Sequence, residues 1–430
     1  MVAAAFRVDW FAMNFSQCLF FAGLGLGASL LRAQSDVPAP PYEAPPALRA
    51  DAILPAALLT GPHYQVLPGV HTEGGIHRFT IDSDVGAFTA DGEEMLLERL
   101  REINAIHQLR QISQGEEYRA ALKTAAKAPL NLAKDLFTQP KETVQGAAKG
   151  AWKMMNRVGE SIRGTVNGRQ RSPYEESATR DLIGFSKVKR GLAVGLAVDP
   201  YSRNETLQKV LDDVAWTSYA GKMTFSAVLL PLGGAAGAVA SGAQLGSALG
   251  DTIRDNGPAD LRLLNQKTLT ALAIPPELIQ SFLDNPAFSP VHQTLLTQAL
   301  GSLRGVEGLS VLLELAKAAA DEDDARFFQR TAQLIAWLHQ GSTPIARLVS
   351  LQGFPICLAR DGSVAVALNL SYASWNPLTD RFITALLKPQ GLTPKGFKVF
   401  LSGSVSPLLR QQLEARGIAV IDRLSPALRS

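Results

Sequence analysis

Apolar positions change their period along this chain, and each change predicts a different kind of element. YQVLPGV (64–70) and IHRFTIDSDVGAFTA (76–90) mix β-branched and aromatic residues with glycine. They predict a small sheet or hairpin ending near Ala90, with DSDVG (82–86) as a turn. From Asp91 the period becomes helical, because Met95, Leu96, Leu100, Ile103, Ile106 and Leu109 recur at three- and four-residue steps. Asp91 is placed to cap that helix, with Glu93 and Glu94 near its positive end. Helical patterning continues to about Gly341, punctuated by Pro129, Pro140, Pro173, Pro200 and Pro258. Within it, DEDDAR (321–326) reads as a solvated face or a break between two helices.

Beyond residue 342 the period shortens again. PICLARDGSVAVALNL (355–370) gives two strand-like runs around Asp361-Gly362, a dipeptide favoured by type I′ hairpins. NPLTDRFITALL (376–387) is a helix with Asn376 as cap and Pro377 in its first turn. FKVFLSGSVSPLLRQQLEARGIAVIDRL (397–424) reads strand, loop, helix, glycine stop, strand, a βαβ-like unit whose strands are expected to be parallel. The fold class predicted is α+β, mostly α: an N-terminal β hairpin or sheet, a helical middle with Gly-rich close-packed helices, and a C-terminal α/β domain.

Composition adds bounds. A chain of 430 residues has room for two or three domains, and 46% hydrophobic with 19% charged residues is globular. The net charge of +3 gives no reason to expect nucleic acid as a partner. Two cysteines, Cys18 and Cys357, exclude a disulfide framework.

Residues 1–33 read as a signal peptide, with a retained anchor as the alternative: NFSQCLFFAGLGLGASLLRA (14–33) holds an uncharged apolar core from about Cys18 to Leu31, of the length of a signal h-region, with Ala33 as a small residue for cleavage. The preceding region is atypical, since Asp9 opposes Arg7. Residues 34–55 read as a Pro-rich linker, with five prolines between 35 and 50. The remaining boundaries fall at 56–125 (β region and long helix), 126–200 (basic helical segment), 201–341 (helical domain) and 342–430 (C-terminal α/β domain). Export into the periplasm, with peripheral membrane association, is the expected location.

Two segments bear on a membrane. Residues 223–250 carry no charge, and Gly233 and Gly237, then Gly242, Gly246 and Gly250, form two sets at four-residue spacing, each on one helix face. Pro231 interrupts a single helix, and the many Gly and Ser residues bring insertion close to neutral, so we read a glycine zipper of closely packed helices, with membrane spanning as the alternative. Between residues 119 and 171, eleven Lys/Arg stand against three Asp/Glu. There, Trp152 shares an apolar stripe with Val144, Ala148 and Met155, while Lys149 and Lys153 lie largely on other faces. Such a basic amphipathic helix packs on its own core or lies on an anionic membrane surface. Expected partners are that surface or another envelope protein, with self-association through the glycine face.

Sites of chemistry are few. His63, His71 and His77 share the β region, but no third ligand stands at a recognisable metal spacing, and we expect neither metal nor cofactor. Glu93, Glu94, Glu98 and Glu102 form an acidic ridge expected to be solvated or paired with Arg99 and Arg101. Cys357, in an apolar run, reads as a buried thiol. The best ligand-binding candidate is LSGSVSP (401–407), where Ser402, Gly403, Ser404 and Ser406 join a strand to a helix N-terminus able to hold an anion. The simpler role there is helix capping by Ser406 ahead of Pro407.

RSPYEESATRDLIGFSKVKR (171–190), DPYSRNETLQKVLDDVAWTSYAGKMT (199–224), SPVHQTLLTQAL (289–300) and LSGSVSPLLRQQLEARGIAV (401–420) together resemble a group of exported bacterial proteins without an established activity. The resemblance implies a bacterial, exported protein and no catalytic residue. The functional expectation is an exported cell-envelope protein without identifiable catalytic activity, acting through protein or lipid contacts. The alternatives are an enzyme or small-anion binder using the 401–407 loop, and an effector that inserts conditionally into membranes.

Overall fold

The structure is a computed structural model that describes residues 42–44, 46–116, 184–221, 247–388 and 393–424. It is α+β: an N-terminal antiparallel sheet, a helical middle, and a C-terminal sheet flanked by helices.

The N-terminal strands are β1 (Leu48–Arg49), β2 (Thr60–Gly61), β3 (Tyr64–Val66), β4 (Gly69–Glu73), β5 (Ile76–Ser83) and β6 (Phe88–Asp91), with short helices α1 (Ala50–Ile53) and α2 (Ala56–Leu59). The long β5 organises them. β4 and β3 pair with it on one edge and β6 on the other. Gly74 and Gly75, both at positive φ, form the two-residue turn between β4 and β5, the backbone a type I′ hairpin requires. The 82–86 turn is present, closed by Gly86 N–H donating to the Ser83 carbonyl. Half of the segment read as a linker belongs to this body, since Ala50 and Leu54 are buried under the sheet's core.

Helix α3 (Glu93–Gln114) follows the expected period but buries more than one face. Leu96, Leu100 and Ile103 pack on the sheet with Phe79 and Ile81. Ala105, Ile106 and Leu109 pack instead on α4 (Phe185–Gly195) and α5 (Glu205–Gly221). Asp91 does not cap α3. It sits in β6 and receives both donors of the Arg78 fork, at 2.7 and 2.9 Å, while Gly92 takes the N-cap position at φ 88°.

The middle continues with α6 (Ser247–Asp255), α7 (Pro258–Ala271), α8 (Pro276–Leu283), α9 (Pro290–Ser302), α10 (Ser310–Ala316) and α11 (Glu322–Gln340). Proline opens three of these helices, where its missing N–H costs nothing, so Pro258 begins a helix instead of breaking one. The 321–326 run is a break: Asp321 accepts from Asp324 N–H and starts α11.

The C-terminal strands are β7 (Ile345–Leu351), β8 (Phe354–Ala359), β9 (Val364–Leu368), β10 (Tyr372–Ala373), β11 (Phe397–Leu401), β12 (Ser404–Val405) and β13 (Ile418–Ile421), with α12 (Pro377–Leu386) and α13 (Pro407–Glu414). The main sheet runs β13-β11-β9-β8-β7, antiparallel from β7 to β9 and parallel from β9 to β13. The 360–363 turn departs from type I′, because Gly362 alone has positive φ there and its N–H returns to the Ala359 carbonyl. Asn376 caps α12 as the sequence predicts, accepting from the N–H groups of Leu378 and Thr379.

Every residue of β9 is buried, and side-chain alternation explains why it reads as continuously apolar. Val364, Val366 and Leu368 face α12 and α13, while Ala365 and Ala367 join Cys357 and Phe400 in the core of the helical middle. One core therefore crosses the boundary at residue 342.

Candidate functional site

The acidic ridge of α3 faces inward. Glu98 and Arg326 form a fork-to-carboxylate pair, one bond measuring 2.8 Å, and Arg326 also reaches Glu322 at 2.7 Å. Glu102 is wholly buried, bonded by Arg99 at 2.7 Å, Asn204 at 3.0 Å and the Ser202 hydroxyl. Glu94 pairs with Arg330 at 2.8 Å. Burial pushes the Glu98 carboxyl up, yet the Arg326 charge and hydrogen bonds outweigh it and hold the group well below the usual carboxylate range. Beside this network, burial and then the Glu98 charge push Asp199 up to about 7, while burial and then Arg326 push His292 down to about 3.

At the N-terminal end of the same ridge lies a small cleft that opens to solvent. One wall is the β6–α3 junction with Asp91 and Glu93, a second is the first turn of α11 with Asp323, and the third carries Ser371 and Ser402-Gly403. The third wall stands just beyond the carboxyl ends of β9 and β11, adjacent parallel strands, the end of a sheet where α/β folds commonly bind ligands.

Its carboxyl groups differ from those deeper in the ridge. Burial raises Glu93, against a 2.8 Å bond from the Ser371 hydroxyl. His77 lies 3.9 Å away but is pushed down to about 4 by burial, so it faces Glu93 as a neutral ring at pH 7. Burial first, then Asp91 facing it, push Asp323 up to about 7, and its Oδ1 is buried with no hydrogen-bond partner. Asp323 thus keeps a proton near neutral pH, because burial and the facing Asp91 side chain both resist its ionisation. This site sets the Arg326 guanidinium beside carboxyl groups that can take or release a proton.

The 401–407 loop is ordered by internal bonds. The N–H groups of Ser402, Gly403, Ser404 and Ser406 donate to the carbonyls of Leu368, Leu370, Ser371 and Ala373. Gly403 approaches the 370–371 backbone so closely that a Cβ would overlap the Leu370 and Ser371 carbonyls. Ser406 caps α13, accepting from Leu409 N–H at 3.0 Å and donating to Glu43 at 2.5 Å. Asp422 takes Val405 N–H at 3.3 Å. The helix N-terminus already has the protein's own carboxylates around it, so an added anion would compete with them. Only Ser402 and Gly403 of the four candidates line the cleft.

Among the other candidates, Cys357 is buried and burial pushes its thiol up to about 12. Gly250 is buried in α6, which packs on α4. Lys149, Trp152, Lys153, Gly233, Gly237, Gly242 and Gly246 lie outside the described residues, as does the 14–33 segment. Among the described residues, no helix is long and apolar enough to cross a membrane. His71 is exposed, and His63 meets Asp84 and His107 instead of its β-region neighbours.

Sequence reasoning missed Asp323 because an acidic run usually marks solvent. It missed Ser371 because nothing local distinguishes that serine. The one available signal was the apolar residue every third or fourth place on both flanks of the ridge, which means a helix with little surface left for water. No family model, no curated protein and no solved structure matches this chain.

Proposed function

We propose that this chain binds a small ligand rich in hydrogen-bond donors, an amine or a polyhydroxyl compound, in the cleft at the carboxyl ends of β9 and β11. The observation that carries the reading is the pair of carboxyl groups, Glu93 and Asp323, both raised by burial on one cleft surface, while Arg326 in the same lining is bonded to Glu98 and Glu322. Ser402 lines the site, but its hydroxyl donates to the Leu370 carbonyl at 2.9 Å and is positioned as a wall rather than a nucleophile. The geometry therefore supports binding over covalent catalysis, and a donor-bearing ligand over the anion suggested by the loop alone. The test is a thermal-shift and calorimetric screen of amines, sugars and inorganic anions on wild type, E93Q and D323N. Stabilisation by an amine or sugar that both substitutions weaken supports the reading. Stabilisation by anions alone, by nothing, or equally in all three proteins removes it.

Location is a separate proposal, supported by the apolar core of residues 14–33 and the basic, Trp-containing stretch around residues 149–153. On that reading the protein works in the cell envelope, at an anionic membrane surface or on another envelope protein. Fractionation with salt, alkali and detergent washes, plus sequencing of the mature N-terminus, tests it. A cytoplasmic protein beginning at Met1 would exclude export.

A further inference from the structure

Outside the cleft, three side chains from three elements meet at one point. His63 lies in the turn between β2 and β3, Asp84 in the turn after β5, and His107 on α3. His63 Nδ1 stands 3.1 Å from Asp84 Oδ2, and His107 Nε2 stands 2.6 Å from Asp84 Oδ1. The two imidazole rings stack 3.6 Å apart with their planes 2° from parallel.

We propose that His63, Asp84 and His107 form a binding site for a divalent transition-metal ion of the zinc type, a role that goes beyond the cleft reading. Two imidazole nitrogens with one carboxylate oxygen suit zinc, copper, nickel or iron, whereas calcium and magnesium call for oxygen-rich sets. One donor atom from each residue lies within 4.8 Å of the others. Zinc bonds of about 2.0–2.1 Å in a tetrahedron place donors roughly 3.3 Å apart, so binding needs the side chains to draw inward and the stacked rings to turn out of parallel until both in-plane lone pairs meet at the ion. Partial exposure makes that movement available: the side chains of His63, Asp84 and His107 are 30, 50 and 18% exposed. It also leaves a face open for water as a further ligand, the arrangement of reactive rather than structural zinc.

The backbone holds the three in place before any ion arrives. Asp84 N–H donates to the His63 carbonyl at 3.3 Å, and Ser83 Oγ both accepts from Val85 N–H at 3.3 Å and bonds the Gly86 carbonyl, fixing the turn. His107 is set by α3, whose neighbouring Ala105, Ile106 and Leu109 are fully buried. The Asp84 carboxylate gathers an imidazole N–H on each oxygen. A cation can replace those two protons as the positive centre, each imidazole moving its proton to the other ring nitrogen.

The test uses the full chain, stripped with a chelator and equilibrated with zinc at micromolar concentration in dialysis. About one equivalent should bind, with affinity falling about tenfold or more in each of H63Q, D84N and H107Q and unchanged in H71Q, the exposed neighbour outside the cluster. Zinc should raise the melting temperature of wild type and H71Q but not of the three variants, whose metal-free melting shows that they fold. Cobalt in the wild-type protein should give the visible absorption of a nitrogen- and oxygen-ligated low-coordinate site. Failure of wild type to retain zinc, or equal retention in all four variants, overturns the proposal.

Discussion

Glu98 and Glu93 stand five residues apart on α3, and both are largely withdrawn from water, yet their acidities move in opposite directions. Glu98 faces the guanidinium of Arg326, whose charge and hydrogen bonds more than offset burial. Glu93 faces a serine hydroxyl and a neutral histidine, and burial prevails. The lesson is that burial sets the cost of a charge, and the partner decides whether that charge is kept. One half of the ridge is thus a structural seam joining α3 to α11, and the other is a place where protons or donor groups can come and go.

The sharpest break of this contrast is R326M, which leaves Glu98 buried without its partner. It should cost about 3–5 kcal/mol in urea unfolding, because the uncompensated carboxylate remains in the interior. Replacing both residues, E98M with R326M, should restore most of that loss, and no recovery would mean that Arg326 acts mainly through Glu322. On the cleft side, G403A attacks shape and leaves charge alone. Its Cβ would meet the Leu370 and Ser371 carbonyls, a clash expected to cost about 1–3 kcal/mol while disturbing the β10–β12 pairing. S406A removes the cap of α13 and a donor to Glu43, with an expected loss of about 1 kcal/mol.

D323N has the most informative sign. The folded carboxyl sits at about 7 against an ordinary 3.8, so the folded chain binds more protons between those values. Its stabilising contribution is complete below about pH 4 and is lost as pH rises through about 7. D323N cannot titrate, so it should gain on wild type in urea midpoint from pH 5 to pH 8. A constant difference across that range would show that Asp323 is an ordinary acid in the folded chain and would weaken the cleft reading with it.

Much of the architecture was legible because it depends on local chemistry. The helical period from Met95 to Leu109, the Asn376 and Ser406 caps and the parallel βαβ-like unit are written in neighbouring residues. The Asp361-Gly362 turn failed because the dipeptide is compatible with more than one turn, and the backbone chose the one with a single positive φ. β7 (Ile345–Leu351) escaped notice since Arg347 and Ser350 interrupt its apolar residues, and its partner β8 supplies the pairing.

The sequence by itself determined where helices and strands begin, which residues cap them, and that one helix carries an unusual row of glutamates. Tertiary structure decided what those glutamates do. Spacing cannot reveal that Arg326 lies against Glu98, that Asp323 faces Asp91, or that His63 and His107 converge on Asp84. Period and propensity act over a few residues, whereas a carboxylate's acidity and a metal's ligand set depend on atoms a few ångströms away whose chain positions can be anywhere. Only packing of the core brings those atoms together.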